Sequence, residues 1–157
     1  MIDISGKNFL VDTNILVYLL DKESEFHLQV LNFFEWTEEN NHALVVTQQN
    51  ILELINTLAV DYKANLKQAI SKTRRLLGAK EFKIIFPLPC TLDRFFNISK
   101  KEGKEPFDLY LTATALDNGV DTIITNNKDD FSGVKGFKAL SLEEVTEMVE
   151  RKIPDQN

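Results

Sequence analysis

The chain has 157 residues, 43% apolar and 27% charged, with a formal net charge of −6; this predicts one soluble domain, 1–157, with a substantial core, and argues against indiscriminate nucleic-acid binding. Cys90 is the only cysteine, and His27 and His42 are the only histidines. An internal disulfide and a Cys-rich zinc site are therefore excluded, and oxygen ligands favour Mg²⁺ or Mn²⁺ for any metal.

Residues 8–11 read as a short buried strand. The apolar stretch that follows is broken by Asp12-Thr13-Asn14 and lacks a cleavage pattern, so it is not a signal peptide. No apolar run reaches the roughly 20 residues that span a bilayer, and a cytoplasmic location with no membrane partner is expected. A helix over 14–20 follows, capped by Asp12 or Thr13. Residues 25–39 carry Phe26, Val30, Phe33, Phe34 and Trp36 at mixed helical spacing. Residues 43–46 form a second strand candidate, followed by a helix over 49–62. Residues 64–77 predict an amphipathic helix with Leu66, Ala69, Ile70, Thr73, Leu76 and Leu77 on one side and Gly78 as its C-cap. A strand over 82–86 ends at Pro87 and Pro89. Helices are expected over 91–102 and 106–118, the second stopped by Asn118-Gly119. Residues 121–125 form a fourth strand, 126–130 a loop and 136–140 a fifth strand. A helix over 141–151 opens with the capping box Ser141-Leu-Glu-Glu144. Strands alternating with helices predict an α/β fold with a mostly parallel sheet, in which ligands bind beyond the carboxyl ends of the strands.

Four acids stand where these elements begin or end. Asp12 follows the first strand, where an Asp is also an ordinary helix cap worth about 1 kcal/mol; Thr13 and Asn14 could cap in its place and free the carboxylate. Glu53 borders the apolar face Ile51, Leu54, Ile55 and Leu58, where a carboxylate is costly unless paired or metal-bound. Asp108 lies in the first turn after Pro106, where the helix dipole favours it. Asp130 lies in the polar segment 125–131, with Phe131 as its anchor. Converging carboxylates repel one another unless they share a cation, and such clusters are common machinery for phosphodiester hydrolysis.

Basic residues group between 63 and 83, including Lys67, Arg74 and Arg75, and again at Lys100, Lys101 and Lys104. These strips are either solvated faces or guides for a polyanion.

The segments FLVDTNILVYLL, TQQNILELINTL and PFDLYLTATALDNGVDTIITNNKDDF, with the closing strand and helix, resemble the PIN domain family and within it the VapC-type toxin ribonucleases. The resemblance spans nearly the whole chain. It implies a three-layer α/β/α fold with a mostly parallel sheet of four or five strands. It also implies an endoribonuclease that uses Mg²⁺ or Mn²⁺ to cut RNA, a partner antitoxin and a homodimer. Asp12, Glu53 and Asp108 match the family's metal-binding acids. The fourth acidic position varies in the family; one of its usual places holds Asn127 here, which leaves Asp130. Asn126 or Asn127 would ligate through an amide oxygen or water, and Thr13 and Asn14 would orient the first carboxylate. Lys67, Arg74, Arg75 and Lys104 are the candidate RNA contacts. Phe26, Leu31, Phe33 and Phe34 are either core or a dimer surface.

A haloacid-dehalogenase-like phosphotransferase needs a second Asp where Asn14 stands. A receiver domain needs adjacent acids before its phosphorylation strand. The competing reading is a degenerate PIN-like domain that binds RNA or protein without cutting.

Overall fold

The computed structural model describes residues 7–80, 82–99 and 104–150. Five parallel strands, β1 (Asn8–Val11), β2 (Ala43–Thr47), β3 (Lys83–Ile85), β4 (Thr122–Ile124) and β5 (Lys138–Leu140), form one sheet in the order β3-β2-β1-β4-β5. Leu10 pairs with Val45 on one side and with Ile123 on the other, so β1 is central. The connections are helical: α1 (Thr13–Leu20), α2 (His27–Glu39), α3 (Gln48–Val60), α4 (Leu66–Ala79), α5 (Thr91–Ile98), α6 (Pro106–Asp117), the single turn α7 (Lys128–Phe131) and α8 (Leu142–Glu150).

Strand side chains alternate between faces with a period of two, and each face meets its own helices. Phe9, Val11, Leu44, Val46, Ile124 and Leu140 point to a core completed by α1, α2, α3, α4 and α8. Leu10, Val45, Ile85 and Ile123 point to the other, closed by Leu109, Leu111 and Ala115 of α6 with Phe131. The result is the expected three-layer α/β/α fold, with five strands and all pairings parallel. Burial on both faces explains why the strands read as continuous apolar runs.

Several local expectations change. Gly78 lies inside α4, whose last turn is closed by Lys80 N–H donating to Leu76 O. Leu66 and Ile70 are exposed, and Ala69, Thr73 and Leu76 form the buried stripe. Phe33 and Phe34 are buried in the core because α2 is enclosed by α1 and α8, which removes them from any dimer surface, while Phe26 and Leu31 remain partly exposed. The stretch read as a loop contains α7. The capping box of Ser141 and Glu144 forms as read, and Gly119 takes a φ of +73° at the stop of α6. Glu81, Lys100, Lys101 and Arg151 lie outside the described residues. No helix among the described residues is long and apolar enough to cross a membrane.

Candidate active site

The strand order reverses at β1 and β4, and the loops leaving their carboxyl ends diverge there to leave a crevice. Asp12 follows β1 and caps α1: its Oδ1 accepts from Thr13 N–H at 2.7 Å. Thr13 and Asn14 do not replace it in that role. Its Oδ2 accepts from the hydroxyl of Thr125, the first residue after β4, at 2.6 Å. Thr125 is fully buried, and its oxygen also accepts from Asn127 N–H at 3.0 Å and from Asn14 Nδ2 at 3.4 Å. One hydroxyl thus joins the β1 and β4 loops.

A second polar chain enters from β2. Thr47 and Asn50 cap α3 reciprocally, and Asn50 Nδ2 donates to Thr13 Oγ1 at 3.2 Å. Thr13 Oγ1 in turn donates to Glu53 Oε2 at 2.9 Å. Glu53 Oε1 accepts from Gln49 Nε2 at 2.7 Å, and the same nitrogen donates to Phe107 O of α6 at 3.0 Å. The buried Thr13, Thr47 and Asn50 are satisfied within this chain, as their location demands, and Gln49 and Glu53 extend it to the half-exposed wall of the groove.

The two chains converge on a groove of about 540 Å³. Asp12, Glu53, Asp108 and Asp130 all line it, together with Thr13, Asn14 and Asn127. A fifth acid, Asp61, joins them with Asn56, Thr57 and Tyr62. Glu53, Thr57 and Asp61 stand four residues apart, so the helical stripe could have revealed Asp61. Thr125, Gln49 and Asn50 were also missed; only the spacing Thr47-x-x-Asn50 hinted at a cap. Asn126 and Asp129 line a neighbouring hollow, where Asn127 and Asp130 also reach.

None of the described residues lining the acidic groove is a Lys or Arg. Burial pushes the Asp12 carboxyl up against the lowering pull of its hydrogen bonds from Thr125 and Thr13, and Glu53 and Asp130 add repulsion. Burial first, then Asp130, Asp12, Glu53 and Glu105, raises Asp108 to about 6. Asn14 Oδ1 is buried with no hydrogen-bond partner among the described residues. Hard oxygen donors, unrelieved mutual repulsion and an unpaired amide oxygen are what a divalent cation would satisfy. Among the described residues, no three Asp, Glu, His or Cys side chains stand close enough together to hold a metal ion as they are placed.

The candidate RNA contacts stand apart. Lys67, Arg74 and Arg75 are exposed on α4. Arg75 rims an apolar groove of about 480 Å³, floored by Val17, Leu58 and Leu76, which meets the acidic groove at Val17 and Tyr62. Lys104 is used internally, donating to Asp129 O and, at 3.0 Å, to Ser132 Oγ, which ties the approach to α6 onto α7.

The sequence matches the PIN domain family over residues 9–136. The chain belongs to the PIN domain family. Among solved structures its fold is similar to that of VapBC2 from Rickettsia felis bound to a promoter DNA fragment, with a TM-score of 0.68, 19% identity, and 85% of this chain and 98% of that one covered. VapBC-1 from nontypeable Haemophilus influenzae gives 0.67 and 18%, covering 87% and 98%. VapC20 of Mycobacterium tuberculosis, described as a sarcin–ricin loop cleaving toxin, gives 0.63 and 10%, covering 83% and 98%. No curated protein matches by sequence. At these identities the likeness establishes the PIN fold, and this PIN domain's chemistry rests on its own groove.

Proposed function

We propose that this PIN domain is a Mg²⁺- or Mn²⁺-dependent endoribonuclease and the toxin of a VapBC-type pair, acting in the cytoplasm. The observation that carries the reading is the convergence of Asp12, Glu53, Asp61, Asp108 and Asp130 on one groove whose described lining has no basic residue. Asp12 and Asp108 would be the principal holders of the ion, with Glu53 and Asp130 completing the set and Asn14 Oδ1 available beside them. When bound, the cation supplies a water of lowered pKa and neutralises charge on the scissile phosphate. The chain's own part is to fix its carboxylates: Thr125 and the Thr13 amide hold Asp12, while Thr13 and Gln49 hold Glu53. With no histidine in the groove, proton removal from water falls to the carboxylates.

Two of the named neighbours are VapBC structures, one of them bound to promoter DNA, and the third is described as a sarcin–ricin loop cleaving toxin. This supports RNA as the substrate and an antitoxin as a partner. The apolar groove rimmed by Lys72, Arg75 and Lys80 opens beside the acidic one and suits an amphipathic segment of that partner. For the homodimer, the exposed Leu52, Phe86, Leu88, Leu92, Phe96 and Phe107 replace the buried phenylalanines of α2 as the candidate surface.

Asn127, standing where the family can carry an acid, favours the second reading, an RNA- or protein-binding PIN domain that does not cut. Purified protein incubated with total RNA, with and without Mn²⁺, separates the two. Discrete Mn²⁺-dependent fragments support the nuclease; intact RNA that comigrates with the protein supports the binder.

A further inference from the structure

Resting on that reading of the site, we infer that Gln49 is a positioning residue that holds Glu53 in the metal-binding groove and sets the gap between α3 and α6. Its side-chain nitrogen has two hydrogens and uses both: one bonds Glu53 Oε1 at 2.7 Å, the other Phe107 O at 3.0 Å. Both partners only accept, so the amide has one sensible orientation; turned over, its oxygen would face a carboxylate and a carbonyl.

The placement matters because the two helices share little other packing. Between them runs a groove of about 550 Å³, with Gln49, Leu52 and Glu53 of α3 facing Phe107, Tyr110 and Thr114 of α6. Gln49 bridges that groove one residue from Asp108, so a single amide links the wall bearing Glu53 to the wall bearing Asp108. Glu53 is repelled by Asp12 and Asp108 and faces solvent on its open side. Thr13 alone restrains only Oε2. With Gln49 in place both oxygens are fixed, and the ion meets a carboxylate that is already oriented. Nothing in the amino-acid pattern beyond an i, i+4 Gln–Glu spacing announces this role.

The test is a double-mutant cycle on equilibrium Mn²⁺ binding, measured by calorimetry or by loss of the free-ion EPR signal. Gln49→Leu and Gln49→Met keep bulk and helix propensity but remove the donor. Each is expected to weaken Mn²⁺ binding by about tenfold or more. In a Glu53→Ala background the same changes are expected to have no further effect, because the residue acts through Glu53. Thermal melts in EDTA keep the test independent of folding: Gln49→Leu and Gln49→Met should melt near the parent. An unchanged Mn²⁺ affinity, or an equal loss with Glu53 already absent, overturns the positioning role while leaving the metal site standing. Failure of the parent protein to bind Mn²⁺ at all overturns the metal reading itself.

Discussion

Thr125 donates its hydroxyl proton to Asp12 Oδ2 at 2.6 Å, across 113 residues of sequence. The bond joins the ends of two adjacent strands and leaves Asp12 with both oxygens engaged, Oδ1 by the Thr13 amide. Thr125→Val should therefore cost about 1–3 kcal/mol of stability, since the desolvated Asp12 carboxylate loses a hydrogen bond. Mn²⁺-dependent cleavage should fall in parallel, and Thr125→Ser should restore most of both. Denaturant melts and a cleavage assay on the same preparations check this; full activity in Thr125→Val would remove Thr125 from the site.

Asp12→Asn and Asp108→Asn should each abolish Mn²⁺-dependent RNA cleavage with the far-UV circular dichroism unchanged. An undiminished rate for Asp12→Asn would sink the mechanism.

The raised carboxyl of Asp108 has a stability signature of definite sign. Protonation is favoured in the folded state, so its contribution to stability is complete below the ordinary value of 3.8 and is lost as pH rises to about 6. Asp108→Asn should consequently stabilise the metal-free protein at pH 7, by on the order of 1 kcal/mol after solvent screening. Below pH 4 the gain should vanish. Mn²⁺ affinity of the parent protein should fall as pH drops through about 6, because the ion competes with the proton. Melts in EDTA at pH 4 and 7 and Mn²⁺ titrations across that range read both effects.

Reversing charge on α4 tests the approach of RNA. Arg74→Glu with Arg75→Glu should weaken RNA binding and flatten its dependence on salt, since fewer counterions are released. Unaffected binding would make this strip a solvated face.

On α5, Leu92 is 51% and Phe96 58% exposed. Leu92→Asp with Phe96→Asp should convert a dimer to a monomer in light scattering, with little change in melting temperature. A parent protein that is already monomeric, or a double variant that remains dimeric, would rule out this face.

The elements were legible because their signals are local. Short apolar runs marked β1, β2 and β4, and Ser141 and Pro106 marked helix starts. Gly78 misled because a glycine near a helix end resembles a cap, whereas the hydrogen bond to Leu76 carries α4 past it. Helix α7 was hidden in a stretch with the composition of a loop, where the burial of Phe131 holds a single turn. The phenylalanines of α2 were ambiguous because a helix covered on two sides has no single apolar stripe. In the site, Asp12, Asp108 and Asp130 could be marked by their places beside element ends and Glu53 by the apolar face it borders, whereas Asp61 went unmarked. Gln49 and Thr125 could not be marked, because Phe107 lies 58 residues from the one and Asp12 113 from the other, and only the folded chain brings them near.

The placement of β4 beside β1 also bears on synthesis. Strand β1 is made early, yet its inner neighbour on that side, the hydroxyl that holds Asp12 and the carboxylate of Asp130 all come from residues 122–130. A growing chain lacking that segment has half a crevice and lacks both Thr125 and Asp130. The candidate site is therefore complete only after nearly the last stretch of the sheet has emerged, so the topology itself delays its assembly.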